Sequence, residues 1–153
     1  MAGRVLVINE WLVHDLAGDN GPQAQREAVK LLEILIDKCD LIAVIRPSRW
    51  AEKAGDVSRQ AQPGTTVREC VRLLWGLLRD SKKTIWKSPE ECAEFPAELD
   101  EAVPLDDRYL VKLYLCAGAD LLITADRVLH NALKAGGRIN VRLRDDFLRE
   151  YIR

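Results

Sequence analysis

Leu105-Asp106-Asp107-Arg108-Tyr109-Leu110-Val111-Lys112-Leu113-Tyr114-Leu115-Cys116-Ala117-Gly118-Ala119-Asp120-Leu121-Leu122-Ile123-Thr124-Ala125-Asp126 is the stretch on which the reading of this chain turns. Pro104 and two adjacent acids open it. Leu110, Val111, Leu113, Tyr114 and Ala117 then recur at helical spacing, which predicts a helix with one apolar face. Gly118 supplies the positive-φ stop that ends such a helix. Leu121 to Thr124 has the length and composition of a strand buried on both faces, and Asp126 stands just past its end. The unit is acid, helix, turn, strand, acid. In parallel α/β folds the carboxyl ends of strands face the ligand crevice. A helix that returns the chain across the sheet brings Asp107 and Asp126 to the same edge.

Working outward, Val5-Leu6-Val7-Ile8 and Leu41-Ile42-Ala43-Val44-Ile45 are two more unbroken apolar runs suited to central parallel strands. Between them Ala17 to Pro22 signals a loop. Ala28, Leu31, Leu32, Leu35 and Ile36 form the apolar stripe of a helix expected over 25–39. A helical turn is expected at Trp50–Ala54, a loop at Val57–Thr65, and a second amphipathic helix over Thr66–Arg79. The acidic, Pro-broken run 88–107 reads as a connection. Beyond Asp126 come a helix ended by Gly136-Gly137, an alternating edge strand at Ile139–Leu143, and a last short helix over 145–152. About four strands interleaved with helices predict a three-layer α/β/α sandwich with a mainly parallel sheet, built as a single domain over residues 1–153.

Composition narrows the function classes. The chain has 153 residues, 48% of them hydrophobic and 31% charged, with a formal net charge of -1. That is ordinary for a soluble globular protein. It supplies no global basic field, so any nucleic-acid contact must come from local patches. No apolar run approaches the roughly 20 residues that cross a bilayer. The first strand begins too early to leave room for a signal peptide, and a cytoplasmic location is expected. Cys39, Cys70, Cys92 and Cys116 are irregularly spaced, with no Cys-x-x-Cys pair or Cys/His cluster. They are read as reduced, mostly buried thiols rather than zinc ligands.

The run DRYLVKLYLCAGADLLITAD resembles the C-terminal half of PIN-domain nucleases, through Asp107, Gly118, Ala119, Asp120, Thr124 and Asp126. The resemblance implies a PIN-like sandwich with metal-binding carboxylates at Asp107 and Asp126. The acid that the family places on the helix after strand two falls at Glu52, with Glu33 as competitor. The chain departs from the pattern at the end of strand one. There the ungapped match sets Ile8 at the family's Asp and Glu10 at its Asn, so either Glu10 substitutes or the site is incomplete. Asn9 offers a neutral oxygen beside it.

An all-carboxylate site suits Mg²⁺ or Mn²⁺, which prefer oxygen ligands. Such a dication can activate a water for phosphodiester hydrolysis. The expectation is a metal-dependent endoribonuclease acting on RNA, the toxin of a toxin–antitoxin pair, with Asp107, Asp126, Glu52 and Glu10 as the acidic ring. An antitoxin partner and a homodimer are implied by the resemblance alone. The alternative is a catalytically degenerate PIN-like module that binds RNA or protein. A receiver-type phosphotransfer domain is disfavoured because strand one lacks an acid cluster.

Other side chains carry both a functional and an ordinary reading. Thr124 can orient an acid or bond its own backbone. His14 and His130 read as structural or surface groups. Lys82, Lys83, Trp86 and Lys87 combine cations with a stacking surface for single-stranded nucleic acid, or make a solvated face around one tryptophan. Arg142 and Arg144 can reach phosphate with the same ambiguity.

Overall fold

The computed structural model describes residues 3–152. Its strands are β1 (Val5–Ile8), β2 (Leu41–Ile45), β3 (Thr84–Lys87), β4 (Leu121–Thr124) and β5 (Val141–Leu143). They form one parallel sheet in the order β3-β2-β1-β4-β5. The register sets Val5 beside Leu41, Leu6 beside Leu121, Ile42 beside Thr84 and Leu122 beside Val141. The helices are α1 (Trp11–Leu16), α2 (Pro22–Asp37), α3 (Arg49–Gln60), α4 (Thr66–Arg79), α5 (Arg108–Cys116), α6 (Arg127–Gly136) and α7 (Arg144–Tyr151). Short 3-10 turns at Ala97–Leu99 and Leu105–Asp107 break the acidic connection before α5.

The three layers follow from strand alternation. Leu6, Ile8, Ile42, Val44, Leu121 and Ile123 point to one face, where they pack against buried side chains of α1 to α4 and α7. Val7, Ala43, Ile45 and Leu122 point to the other, against α5 and α6. Both faces of the central strands are therefore covered, which is why these strands read as continuous apolar runs rather than as alternating ones. Side-chain caps fix several helix starts. Ser48 Oγ accepts from Ala51 N at 3.1 Å and Thr65 Oγ1 from Arg68 N at 3.2 Å. Gly118, at φ +63°, makes the turn after α5 that no side chain adopts comfortably.

Two expectations need correction. The sheet has five strands rather than four, because the basic stretch holds β3 at the sheet edge: Thr84 is buried there, whereas Trp86 remains exposed. The segment after β2 forms a full helix to Gln60 instead of a turn followed by a loop. Trp50, Ala54 and Val57 supply its buried stripe, and the polar residues between them face outward. Asp107 holds the position before α5, and its side chain makes no cap bond. Among the described residues the four thiols are free, with Cys70 and Cys92 buried, Cys116 half-buried and Cys39 exposed. No described helix is long and apolar enough to cross a membrane.

Candidate active site at the carboxyl edge of the sheet

Strand β1 ends at Ile8, but its ladder continues by one bond, from Asn9 N to Ile123 O at 2.9 Å. Glu10 then takes a helical conformation, φ -59° and ψ -17°, as the residue before α1. The chain therefore bends off the strand line where an extended continuation would have carried Glu10 past the sheet edge. Asn9 is committed on both sides of its amide. Its Oδ1 accepts from Glu10 N at 2.7 Å and its Nδ2 donates to Thr124 Oγ1 at 3.1 Å. The fully buried Thr124 hydroxyl also accepts from Asp126 N at 3.0 Å. One threonine thus ties the end of β1 to the end of β4 and sets the backbone that presents Asp126.

Asp126 caps α6, with Oδ1 accepting from Val128 N at 2.9 Å and from Leu129 N at 3.3 Å. Its second oxygen makes no such bond among the described residues. The 3-10 turn ahead of α5 delivers Asp107 to the same edge, because α5 runs back across the sheet and so begins where the parallel strands end. The Asp107 carboxylate is half-buried and makes no hydrogen bond or ion pair among the described residues. Burial pushes its pKa up, and the nearby charges of Asp126 and Glu10 push the same way, while Arg49 opposes them. Three of the expected acids, Glu10, Asp107 and Asp126, therefore share one electrostatic neighbourhood.

Glu10 is held rather than free. Tyr109 OH donates to its Oε2 at 3.1 Å, and an Arg49 guanidinium nitrogen lies 3.6 Å from its Oε1. The other end of that guanidinium lies 3.5 Å from Asp106 Oδ2. Burial, then the Glu10 charge, drives the Tyr109 phenol far above its usual range, so it remains a donor. Arg49 and Tyr109 were not among the expected site residues. The signal for Arg49 was present: a cation at the first position of a helix opposes the macrodipole unless acids stand in front of it.

The remaining candidates lie elsewhere. Glu52 is exposed on the first turn of α3 and lines a cavity with Arg46 and Trp86 that neither Glu10, Asp107 nor Asp126 borders. Glu33 is exposed on α2. Lys82 is exposed, and Lys83 Nζ donates to the Leu35 and Lys38 carbonyls at the end of α2. Lys87 pairs with Glu91 at 3.7 Å. Arg142 pairs with Glu150 at 2.8 Å and donates to Asp146 O. Arg144 is spanned by Asp15 at 2.8 Å and Glu27 at 3.2 Å over the Trp11 ring. Trp86 and Arg142 occupy opposite edge strands, roughly 19 Å apart at ordinary strand spacing. They do not share a surface. His14 pairs with Asp19 and His130 meets Asn131.

Among the described residues no three His, Cys, Asp or Glu side chains form a group that could hold a metal ion. A smaller set is enough for Mg²⁺, which keeps several waters and takes one or two carboxylates plus substrate phosphates. Asp107, unpartnered and crowded by like charge, and the uncapped oxygen of Asp126 fit that smaller set. In comparisons with known proteins, the chain matches no family model, no curated protein and no solved structure.

Proposed function

We propose that the protein is a PIN-like endoribonuclease dependent on Mg²⁺ or Mn²⁺. The observation that carries this reading is the unpartnered Asp107 carboxylate, lifted in pKa by burial and by Asp126 and Glu10 beside it. Such crowding is unfavourable for the fold alone and is relieved by a cation. Asp107 and Asp126 would hold the dication, which when bound would polarise a phosphoryl oxygen and lower the pKa of a water. Glu10, held by Tyr109 and Arg49, would stand beside the metal as the general base for a water. Thr124 keeps Asp126 in place. Arg49, which bridges Glu10 and Asp106, would lend its charge to the phosphate. Glu52 has no role in this site. On the same reading the protein is a cytoplasmic toxin, homodimeric and neutralised by an antitoxin.

A second reading, a degenerate PIN-like module that binds RNA or protein, is favoured by specific observations. Ile8 stands buried where the family carries its first acid, the Asn9 amide is already committed, and Arg49 already balances Glu10. The two readings separate in one experiment. Mn²⁺ is titrated calorimetrically into wild type and Asp107→Asn, and both are assayed for cleavage of a fluorescent single-stranded RNA. Millimolar or tighter binding together with cleavage, both lost in the variant, supports the nuclease. Wild-type protein that neither binds Mn²⁺ nor cleaves RNA sinks it and leaves the binding module.

A further inference from the structure

A cavity of about 580 Å³ opens beside the edge strand β3, between α3 and α4. That volume lies within the ~300–1,000 Å³ typical of small-ligand sites. Its wall carries three arginines, Arg46, Arg59 and Arg79, against a single acid, Glu52. Arg59 is engaged by Asp56. Arg46 and Arg79 have no carboxylate partner among the described residues, and Arg79 lies over the Trp75 ring at 5.6 Å. Trp86, 37% exposed, completes the wall. Its Nε1 donates to Leu78 O at 3.0 Å, which holds the indole in one orientation. Trp50 and Trp75, also on the wall, have buried indole N–H groups with no acceptor among the described residues.

The geometry points to this cavity as a subsite for one nucleotide of a single-stranded nucleic acid, its base stacked on Trp86 and its flanking phosphates on Arg46 and Arg79. The two features are complementary to that ligand class: every base offers a π-face to a rigid aromatic platform, and unpaired cations track the backbone. A free phosphate would have no use for the tryptophan. The location is consistent with a strand that continues toward the acids. Arg46 leaves the end of β2, and Arg49, which contacts Glu10 and Asp106, follows three residues later, at most about 10 Å along the chain. The cavity and the acids contacted by Arg49 thus lie on either side of the first turn of α3. The subsite does not depend on cleavage and would stand if the acids were inert.

The test is fluorescence anisotropy in EDTA, so that no metal-dependent step contributes, using ten-nucleotide single-stranded RNA and DNA probes and a labelled mononucleotide. The variants are Trp86→Ala, Trp86→Phe and Arg46→Ala, with Arg26→Ala on the exposed face of α2 as the charge control. Trp86→Ala is expected to weaken oligonucleotide binding about tenfold, with Trp86→Phe recovering most of the loss. Arg46→Ala is expected to reduce the salt dependence of binding by about 0.7 in log–log slope, and Arg26→Ala to leave it unchanged. RNA bound more tightly than DNA, or equally, supports the proposal in either case. Three results overturn it: no binding of either oligonucleotide by wild type, wild-type affinity in both Trp86→Ala and Arg46→Ala, or a mononucleotide bound as tightly as the oligonucleotides. Binding with this pattern in a protein that does not cleave in Mn²⁺ supports the subsite while sinking the nuclease.

Discussion

Replacing Asp126 by alanine and by asparagine perturbs the carboxyl edge of the sheet in two different ways. Alanine removes the cap that holds Val128 N and Leu129 N, a loss of about 1 kcal/mol. For a chain of 153 residues that lowers the melting temperature by about 2–4 °C. Asparagine keeps an acceptor oxygen in the cap. It gives up a charge–dipole contribution of about 0.3–1 kcal/mol, but it also removes the like charge that bears on Asp107. The two effects oppose, so Asp126→Asn is expected to melt within about 2 °C of wild type. Adding Mn²⁺ then separates ligand from cap. At ten times its Kd the ion stabilises wild type by about 1.4 kcal/mol, a rise of about 3–6 °C, and neither variant is expected to show it. The assay is differential scanning fluorimetry in EDTA and across a MnCl₂ series. An Asp126→Asn protein that rises with Mn²⁺ as wild type does refutes the ligand role. An Asp126→Ala protein that melts with wild type in EDTA refutes the cap.

Two further substitutions test the surrounding structure. Burial and neighbouring acids raise the Asp107 pKa, so above the folded-state pKa the ionised carboxylate opposes the fold. The penalty fades as pH falls toward the unfolded value of ~3.9. Asp107→Asn is therefore expected to be more stable than wild type at neutral pH without metal, with the difference closing on acidification; equal melting profiles across pH would contradict this. Arg144→Ala strips the guanidinium from the buried Asp15 and is expected to cost about 3–5 kcal/mol, read as a lowered urea midpoint; a shift under about 1 kcal/mol, the range of an exposed pair, would mean the bridge contributes little.

The parts of the fold that were legible in the sequence are those where burial is uniform. β1, β2 and β4 lie between two covered faces and read as apolar runs, while α2 and α4 carry stripes at helical spacing. β3 was hidden because this four-residue edge strand buries only Thr84, while Ile85 and Lys87 are half-buried and Trp86 is exposed. The outer half of α3 was hidden because Val57 alone signals burial beyond Ala54. Asp107 and Asp126 were legible as acids at a helix start and a strand end, positions that the parallel topology brings to one edge. Whether Glu10 joined them depended on a backbone bend after Asn9 that no residue pattern announces. The pairing of Trp86 with arginines rather than lysines, and its separation from Arg142, follow from strand order and side-chain direction.

Strand order also bears on how the chain is made. β1 occupies the centre of the sheet, with Leu6 paired to Ile42 on one side and to Leu121 on the other. During synthesis the first pairing becomes available once β2 emerges, while the second waits for β4. In the interval β1 presents an open row of backbone donors and acceptors flanked by Leu6, Val7 and Ile8, the kind of edge that recruits a foreign strand. Ribosome-bound chains halted between β3 and β4 should therefore be the aggregation-prone species, and completing β4 should close the gap.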